Sequence, residues 1–438
     1  MSQSVYRISD LLTQILTDVP VGTNLGLLHL QVALLSGRFL AARGAVLPAL
    51  DALQLDKSAA HRAHAALCSG RWSAENLLQR WQKTVIKEGR FAPNAYEGIR
   101  PVACDLTAFF RPHLRGLTSK HYVSDAGKAL PALVFGLCVT VGRVGGKRLG
   151  IPRVLLRRKE GETEAALQKR LIDAAAETLA PQEALIFDAG FGLCDLLARD
   201  GLRFVARVRR NQSARRSTLP AYSGRGRKPE RGELVRPLAR GRAGKDIAAS
   251  EPDRKSHWQD GKRRLRAQEW NALVLPDQKP GAASFRIVAI FDPRYKEPLL
   301  VATNLTVSAE ALWRLYRDRW AVEQLPLAAK PMLGCERSFV SGKESRFRLP
   351  ELALLAGNLL SYVAATTAPV ATGFWDRAAN ATCGRLRRTL AKAHFAEFAC
   401  AGEQLRKKNS VTAHLVTGAA GRRQTRAAQM PLAMAQTA

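Results

Sequence analysis

Pro101 to Phe110 reads PVACDLTAFF, a short apolar run with a single acid, Asp105, inside it. Upstream, as in Asn24 to Leu53, apolar residues recur at three- and four-residue steps with Gly and Pro as punctuation, which predicts helices. From Arg100 the period changes to that of strands. Leu130 to Val141 (LPALVFGLCVTV) is a buried-strand candidate followed by Gly-rich turn signals, and Leu149 to Arg157 is a third strand. Glu162 to Leu179 (ETEAALQKRLIDAAAETL) then carries strong helix formers with acids early, and Pro181 stops it. Ala184 to Phe187 predicts a fourth strand with Asp188 at its end, and a helix from Leu193 to Asp200 leads through Gly201 into a fifth, Arg203 to Arg209. Three strands, helix, strand, helix, strand is the order of an α/β fold, a mixed sheet covered by helices.

Between Gly201 and Trp270 the chain holds 20 lysines and arginines against 7 acids. Strand patterns return at Asn271 to Leu275, Arg286 to Phe291 and Pro298 to Ala302, so residues 211–305 read as a basic, β-rich insertion. Ser308 is then an N-cap candidate with Glu310 in the first turn, for a helix running through ALWRLYRDRWAVEQ. The expected division is a helical region over 1–98, a core in two parts over 99–210 and 306–345 around that insertion, and a C-terminal helical region over 346–438. The last region ends in an Arg-dotted, Ala-rich tail expected to be disordered.

The 438 residues hold 68 Lys plus Arg against 37 Asp plus Glu, a formal charge of +31 that calls for a polyanionic partner. Nucleic acid and an anionic membrane both answer to that charge. The membrane reading weakens because MSQSVYRISDLL lacks a signal peptide's regions and because Leu349 to Ala365 contains Glu351 and Asn358. Seven cysteines without a C-x-x-C pair predict reduced thiols in a cytoplasmic protein and no structural zinc. Arg38, Arg43, Arg62 and Arg71 interleave with the early helices as a DNA-binding region requires, although solvated helix faces look the same.

Phosphoryl transfer by two divalent ions, roughly 3.5–4 Å apart, needs acids converging from separate elements. Asp105 in its apolar run needs a cation or a hydrogen-bond network as partner, though an alternating strand also places an Asp on an exposed face. Asp188 lies at a strand end, where ligands gather in α/β sheets and where helix caps also sit. Glu323 shares a helical face with Arg319 and Tyr316, a grouping that a surface ion pair explains equally well. Arg207, Arg209, Arg210, Arg225, Arg227, Lys228, Lys262, Arg263, Arg264 and Arg266 are candidate phosphate contacts, or else a solvated charge run. Trp258, Trp270 and Trp313 read as core residues, and His113 and His121 as ordinary loop or DNA-facing ones.

The run Tyr316, Arg319, Glu323, Lys330 resembles the Y-R-E-K signature of insertion-sequence transposases of the family-four type, within the DDE class. DLT at Asp105, DAGF at Asp188 and FVARVRRN from Phe204 follow the same family's order, so the resemblance spans roughly residues 100 to 345. It implies a ribonuclease-H-like core interrupted by a β-rich insertion, with Asp105, Asp188 and Glu323 as catalytic ligands of two Mg²⁺ or Mn²⁺ ions. Tyr316, Arg319 and Lys330 would contact phosphates of double-stranded DNA at the transposon end. The implied activity is metal-dependent end cleavage and strand transfer by a homodimer in the synaptic complex. Another nuclease of the same fold and a catalytically inactive, domesticated DNA-binding derivative are the rival readings. Pro326 and Pro331 depart from the expected helix, kinking it between and beyond Glu323 and Lys330.

Overall fold

The computed structural model describes residues 3–410 apart from 118, 124–125, 223, 243–244, 370, 372 and 378, so the C-terminal tail lies outside the described residues. The first hundred residues form helices α1 (Gln3–Leu16), α2 (Thr23–Leu35), α3 (Arg38–Ala41), α4 (Val46–Asp51), α5 (Lys57–Ser69) and α6 (Ala74–Glu88). Asp56 and Ser73 cap α5 and α6 by accepting from the third amide onward, that of Ala59 and Asn76.

Next come strands β1 (Ala92–Pro93), β2 (Arg100–Phe110), β3 (Lys120–Val123), β4 (Lys128–Val144) and β5 (Lys147–Arg157). Gly145 and Gly146 join β4 to β5 with φ of 54° and 77°, the left-handed pair that a two-residue hairpin turn demands. Then follow α7 (Glu164–Glu177), β6 (Glu183–Phe187), α8 (Leu193–Leu197) and β7 (Phe204–Arg207), close to the expected bounds. Six shorter or longer strands come after: β8 (Ala214–Arg216), β9 (Leu234–Val235), β10 (Arg240–Arg242), β11 (Lys245–Ile247), β12 (Arg254–Asp260) and β13 (Arg263–Val274). Two more, β14 (Phe285–Phe291) and β15 (Leu299–Thr303), lead into helices α9 (Ala309–Asp318), α10 (Gln324–Leu327), α11 (Ser345–Thr366), α12 (Cys383–Ala391) and α13 (Ala399–Ser410).

Thirteen of the described strands join one sheet, whose centre runs β5-β4-β2-β6-β7-β15-β14-β13. The pairs β5/β4 and β4/β2 are antiparallel, whereas β2/β6 and β6/β7 are parallel. Beyond β7 every pair is antiparallel, so most strands of the basic segment extend the central sheet, and β10 pairs only with β11. The alternation of β4 shows the layering. Leu133, Phe135, Leu137, Val139 and Val141 pack under α1, α2, α6 and α11, while Cys138 packs with α7 residues Leu171 and Ile172 on the other face. α9 lies over β6, β7, β14 and β15 on the first of these faces.

By length and composition α11 could cross a bilayer, yet it is mostly buried inside the protein. Two of its buried polar residues, Glu351 and Asn358, explain why it stays there. Arg157 donates through Nη2 to Glu351 Oε2 at 2.7 Å. Asn358 accepts from Trp81 Nε1 at 2.7 Å and donates to the Gly150 carbonyl at 2.6 Å, so one buried amide ties α6, α11 and β5 together. Replacing Asn358 by Leu leaves a buried indole N–H and a carbonyl unpaired, at about 1–3 kcal/mol for each such group. Asn358→Leu is therefore expected to lower the unfolding free energy by about 3 kcal/mol in a denaturant titration, and an unchanged midpoint would show that water replaces the amide.

Candidate active site

Period-two alternation decides where the two aspartates point. In β2, Ala103 and Phe109 face the helical layer while Val102 and Cys104 face α7, and Asp105 shares the phase of Ala103. In β6, Ala184 and Ile186 pack under α9 while Leu185 and Phe187 face away, so Asp188, next in phase, emerges on the α9 side. Because β2 and β6 are parallel with Ala103 opposite Ile186, Asp105 and Asp188 stand side by side. The β6/β7 register sets Phe187 opposite Ala206 and so adds Arg207 to the row.

The end of α9 closes over that row. Leu312, Trp313 and Leu315 hold the helix on the sheet, and the sequence ALWRLYRDRWAVEQ was expected to continue as one helix. It does not: α9 stops at Asp318, Arg319–Ala321 form a 3-10 turn, and α10 begins after Glu323. Pro326 sits in the first turn of α10, where a missing N–H costs little. Pro331 lies in a single π-helical turn, Ala328–Met332, which also carries Lys330.

Seven of the predicted residues meet here. Arg319 Nη1 lies 3.4 Å from Asp105 Oδ2, and its Nη2 lies 3.9 Å from Asp188 Oδ2 and 2.6 Å from Glu323 Oε1. Tyr316 donates its hydroxyl to Asp188 Oδ1 at 3.1 Å, and Arg207 Nη1 stands 3.7 Å from the same oxygen. Lys330 Nζ lies 5.1 Å from the centre of the Phe109 ring. The Arg319 side chain is 13% exposed against 29%, 35% and 38% for the three acids, so the acids stay more open to solvent than the arginine that joins them.

Burial, with Glu323 and Asp188 nearby, raises the Asp105 carboxyl to about 6 even though Arg319 and the Leu106 amide pull it down. Burial works against the charge of Arg319, but Asp188, Tyr316, Glu323 and Asp105 more than offset it and hold its pKa above the ordinary value. Tyr316 is pushed up to about 12 by burial and by Asp188, so it is a hydrogen-bond donor at neutral pH. Burial lowers Lys330 to about 8, with Glu336 and Asp105 opposing.

Three carboxylates from β2, the end of β6 and the turn after α9 are a hard-oxygen donor set whose chemistry suits Mg²⁺ or Mn²⁺. Three acids share the one guanidinium of Arg319, a formal excess of negative charge that a further cation would offset. Among the described residues, no three His, Cys, Asp or Glu groups stand in a ready ligand arrangement, since Arg319 lies between these acids.

The remaining predicted residues lie elsewhere on the sheet. Arg209 and Arg210 are exposed after β7, and Arg210 pairs with Glu297. Lys262, Arg264 and Arg266 are exposed, alternating in the strand with buried Leu265 and Ala267, and Arg266 stacks on Phe291 at 4.3 Å. Arg263 points to the other face, pairing with Asp260 and, at 3.3 Å, Asp292. Trp258 and Trp313 meet edge to face with ring centres 6.1 Å apart, and Trp270 is fully buried, as core packing requires. His121 pairs with Glu164 at 2.9 Å.

Residues 147–272 match a family described as DDE superfamily endonuclease. The matched stretch runs from β5 through Asp188 and the basic strands into β13, and it leaves out Asp105 and Glu323. The match supports a DDE nuclease-like protein that acts on nucleic acid. Among curated proteins, none matches this chain.

Asp318 escaped the sequence reading, although Leu315, Asp318 and Val322 repeat at buried helical spacing and so set an acid on an apolar stripe. Its carboxylate is wholly buried and accepts from Asn94 Nδ2 at 2.6 Å and from the Tyr96 hydroxyl at 2.9 Å.

The Asp105 shift has a sign that can be measured. Its folded value of about 6 lies above the ordinary 3.8, so the fold favours the neutral acid. The stability this gives is full below about pH 3.8 and is lost as pH rises through about 6. Asp105→Asn, neutral at every pH, should then melt several degrees higher than the native chain near pH 8 and alongside it near pH 4, as followed by differential scanning calorimetry. A variant less stable than the native chain at the higher pH would mean that Arg319 stabilises the ionised acid outright.

Proposed function

We propose that the chain is a DNA transposase of the DDE class, of the insertion-sequence family-four type, cutting DNA at transposon ends and joining the freed end to target DNA. The observation that carries this reading is the convergence of Asp105, Asp188 and Glu323 on Arg319 and Tyr316, because it unites the separate sequence blocks in one place. The match to DDE superfamily endonucleases and the charge of +31 support it. The strand order β5-β4-β2-β6-β7 supports a ribonuclease-H-like core over 99–210 and 306–345, with the β-rich segment 211–305 joined to its edge.

In this reading Asp105, Asp188 and Glu323 hold two Mg²⁺ or Mn²⁺ ions, which when bound activate the attacking oxygen and stabilise the leaving one. Water first opens a phosphodiester at the end, leaving a 3′-hydroxyl, and that hydroxyl then displaces a 3′-oxygen from a target phosphodiester. Arg319 leaves the carboxylates and grips a phosphate with its two-pronged guanidinium, while Tyr316, Lys330 and Arg207 donate to neighbouring phosphate oxygens. The protein works in the cytoplasm as a homodimer on paired ends, with the helical region 1–98 also on DNA.

Asp105→Ala, Asp188→Ala and Glu323→Ala should each abolish Mg²⁺-dependent nicking while leaving DNA affinity nearly intact, and Arg319→Lys should recover only part of what Arg319→Ala loses. Nicking assays on supercoiled plasmid with parallel gel shifts check this, and full DNA binding without nicking by the native chain would favour an inactive derivative. The exposed face of β13 makes a separate prediction. Neutralising Lys262, Arg264 and Arg266 together should flatten the plot of log affinity against log salt by about 0.9 per lost phosphate contact. An unchanged slope would make that face a solvated one.

A further inference from the structure

Tyr96 and Ile99 exchange backbone hydrogen bonds of 2.9 and 3.0 Å across Glu97 and Gly98, whose φ values are 49° and 80°. Left-handed backbone at both central positions is a turn that Asn, Asp and Gly ordinarily fill, and a glutamate there is out of place on local grounds. Its side chain explains it: Glu97 Oε2 accepts the Ser308 amide at 2.9 Å, and Oε1 accepts the Ser308 hydroxyl at 2.5 Å. Ser308 is the N-cap of α9. At the other end of the same helix, Asn94 and Tyr96 donate to Asp318, and Arg148 Nε stands 2.8 Å from its second oxygen. Arg148 Nη1 also donates to the Arg317 carbonyl at 3.3 Å. Three residues within one four-residue stretch, Asn94, Tyr96 and Glu97, thus hold both ends of a ten-residue helix.

Apolar packing of Leu312, Trp313 and Leu315 already keeps α9 on the sheet, but that force is non-directional and leaves sliding and rotation cheap. Charge-assisted hydrogen bonds are directional, and a buried carboxylate such as Asp318 is a poor way to gain stability alone. We propose that the segment Asn94–Gly98, together with Arg148, is a positioning clamp that sets Arg319 and Glu323 against Asp105 and Asp188, with Glu97 and Asp318 as its positioning residues. The inference rests on the cleavage reading above for its consequence, and on the contacts alone for its mechanics.

The test compares full-length native protein with Glu97→Gly and Asp318→Asn. Glycine relieves the left-handed backbone while removing the clamp's hold on Ser308, so the melting temperature of Glu97→Gly should hold or rise, while amide hydrogen exchange across 309–323 quickens and Mg²⁺-dependent plasmid nicking slows. Asp318→Asn should lose on the order of 100-fold in single-turnover nicking at unchanged plasmid affinity, the size of loss that misplacement by about 1 Å brings. If Asp318→Asn does not fold, Tyr96→Phe takes its place, with the same direction expected. Exchange across 309–323 equal to that of the native chain, or nicking that falls only with the folded fraction, would overturn the clamp. A native chain that never nicks would instead sink the cleavage reading, and the exchange result alone would still judge the clamp.

Discussion

Asp105 on β2 and Asp188 just after β6 stand on neighbouring parallel strands of the central sheet, about 4.8 Å apart in the hydrogen-bonding direction, where two carboxylates on one apolar face repel each other. Glu323 brings a third. The guanidinium of Arg319 is what makes that arrangement tolerable, because among the described residues it alone pairs with all three acids. Much of the architecture follows from keeping it there. α9 must lie over the end of β6, and the chain keeps a helical path, tightened to 3-10 after Asp318, that carries Arg319 and Glu323 to the row. Asp318, in turn, is buried only because Asn94, Tyr96 and Arg148 meet it.

The central strands were legible because their apolar runs sit between strong turn signals. PVACDLTAFF and ALIF are short, nearly continuous apolar runs, and the glycines after Val144 leave a hairpin as the simplest link. From those two runs the phase of Asp105 and Asp188 follows, but not their adjacency, which needs the parallel register of β2 with β6. The hairpin of β12 and β13 was only partly visible, as a strand at Asn271 to Leu275. In RKSHWQD and RRLRAQEW one face is charged and the other is spread over Trp258, Leu265 and Ala267, so the alternation hides behind the arginines. Nor does sequence reveal that β15 pairs with β7 and carries the basic strands onto the central sheet, since partner choice lies in tertiary packing.

The glutamate helix shows the opposite failure. ALWRLYRDRWAVEQ is made of good helix formers, and by local propensity alone it should continue unbroken. Tertiary contacts override it: the buried Asp318 carboxylate and the Arg317 carbonyl are both engaged by Arg148, and the next turn tightens to 3-10. Propensity records what a segment prefers by itself, whereas here the end of a helix is set by a hairpin more than two hundred residues earlier in the chain.

Pro331, which reads in the sequence as a flaw, has a structural use. A proline cannot donate its amide to the preceding turn, and the chain answers with one wide π turn that keeps Lys330 on the inner side, over Phe109 and toward Asp105. There the ammonium is desolvated enough to lower its pKa to about 8, so its charge is held less firmly than that of a surface lysine. A phosphodiester arriving beside it would favour the protonated form, as any nearby anion does. The same anion would compete with the carboxylates for Arg319. On the proposed reading Lys330 and Arg319 would therefore respond to one event in complementary ways, Lys330 gaining a counter-charge as Arg319 exchanges one set of oxygens for another.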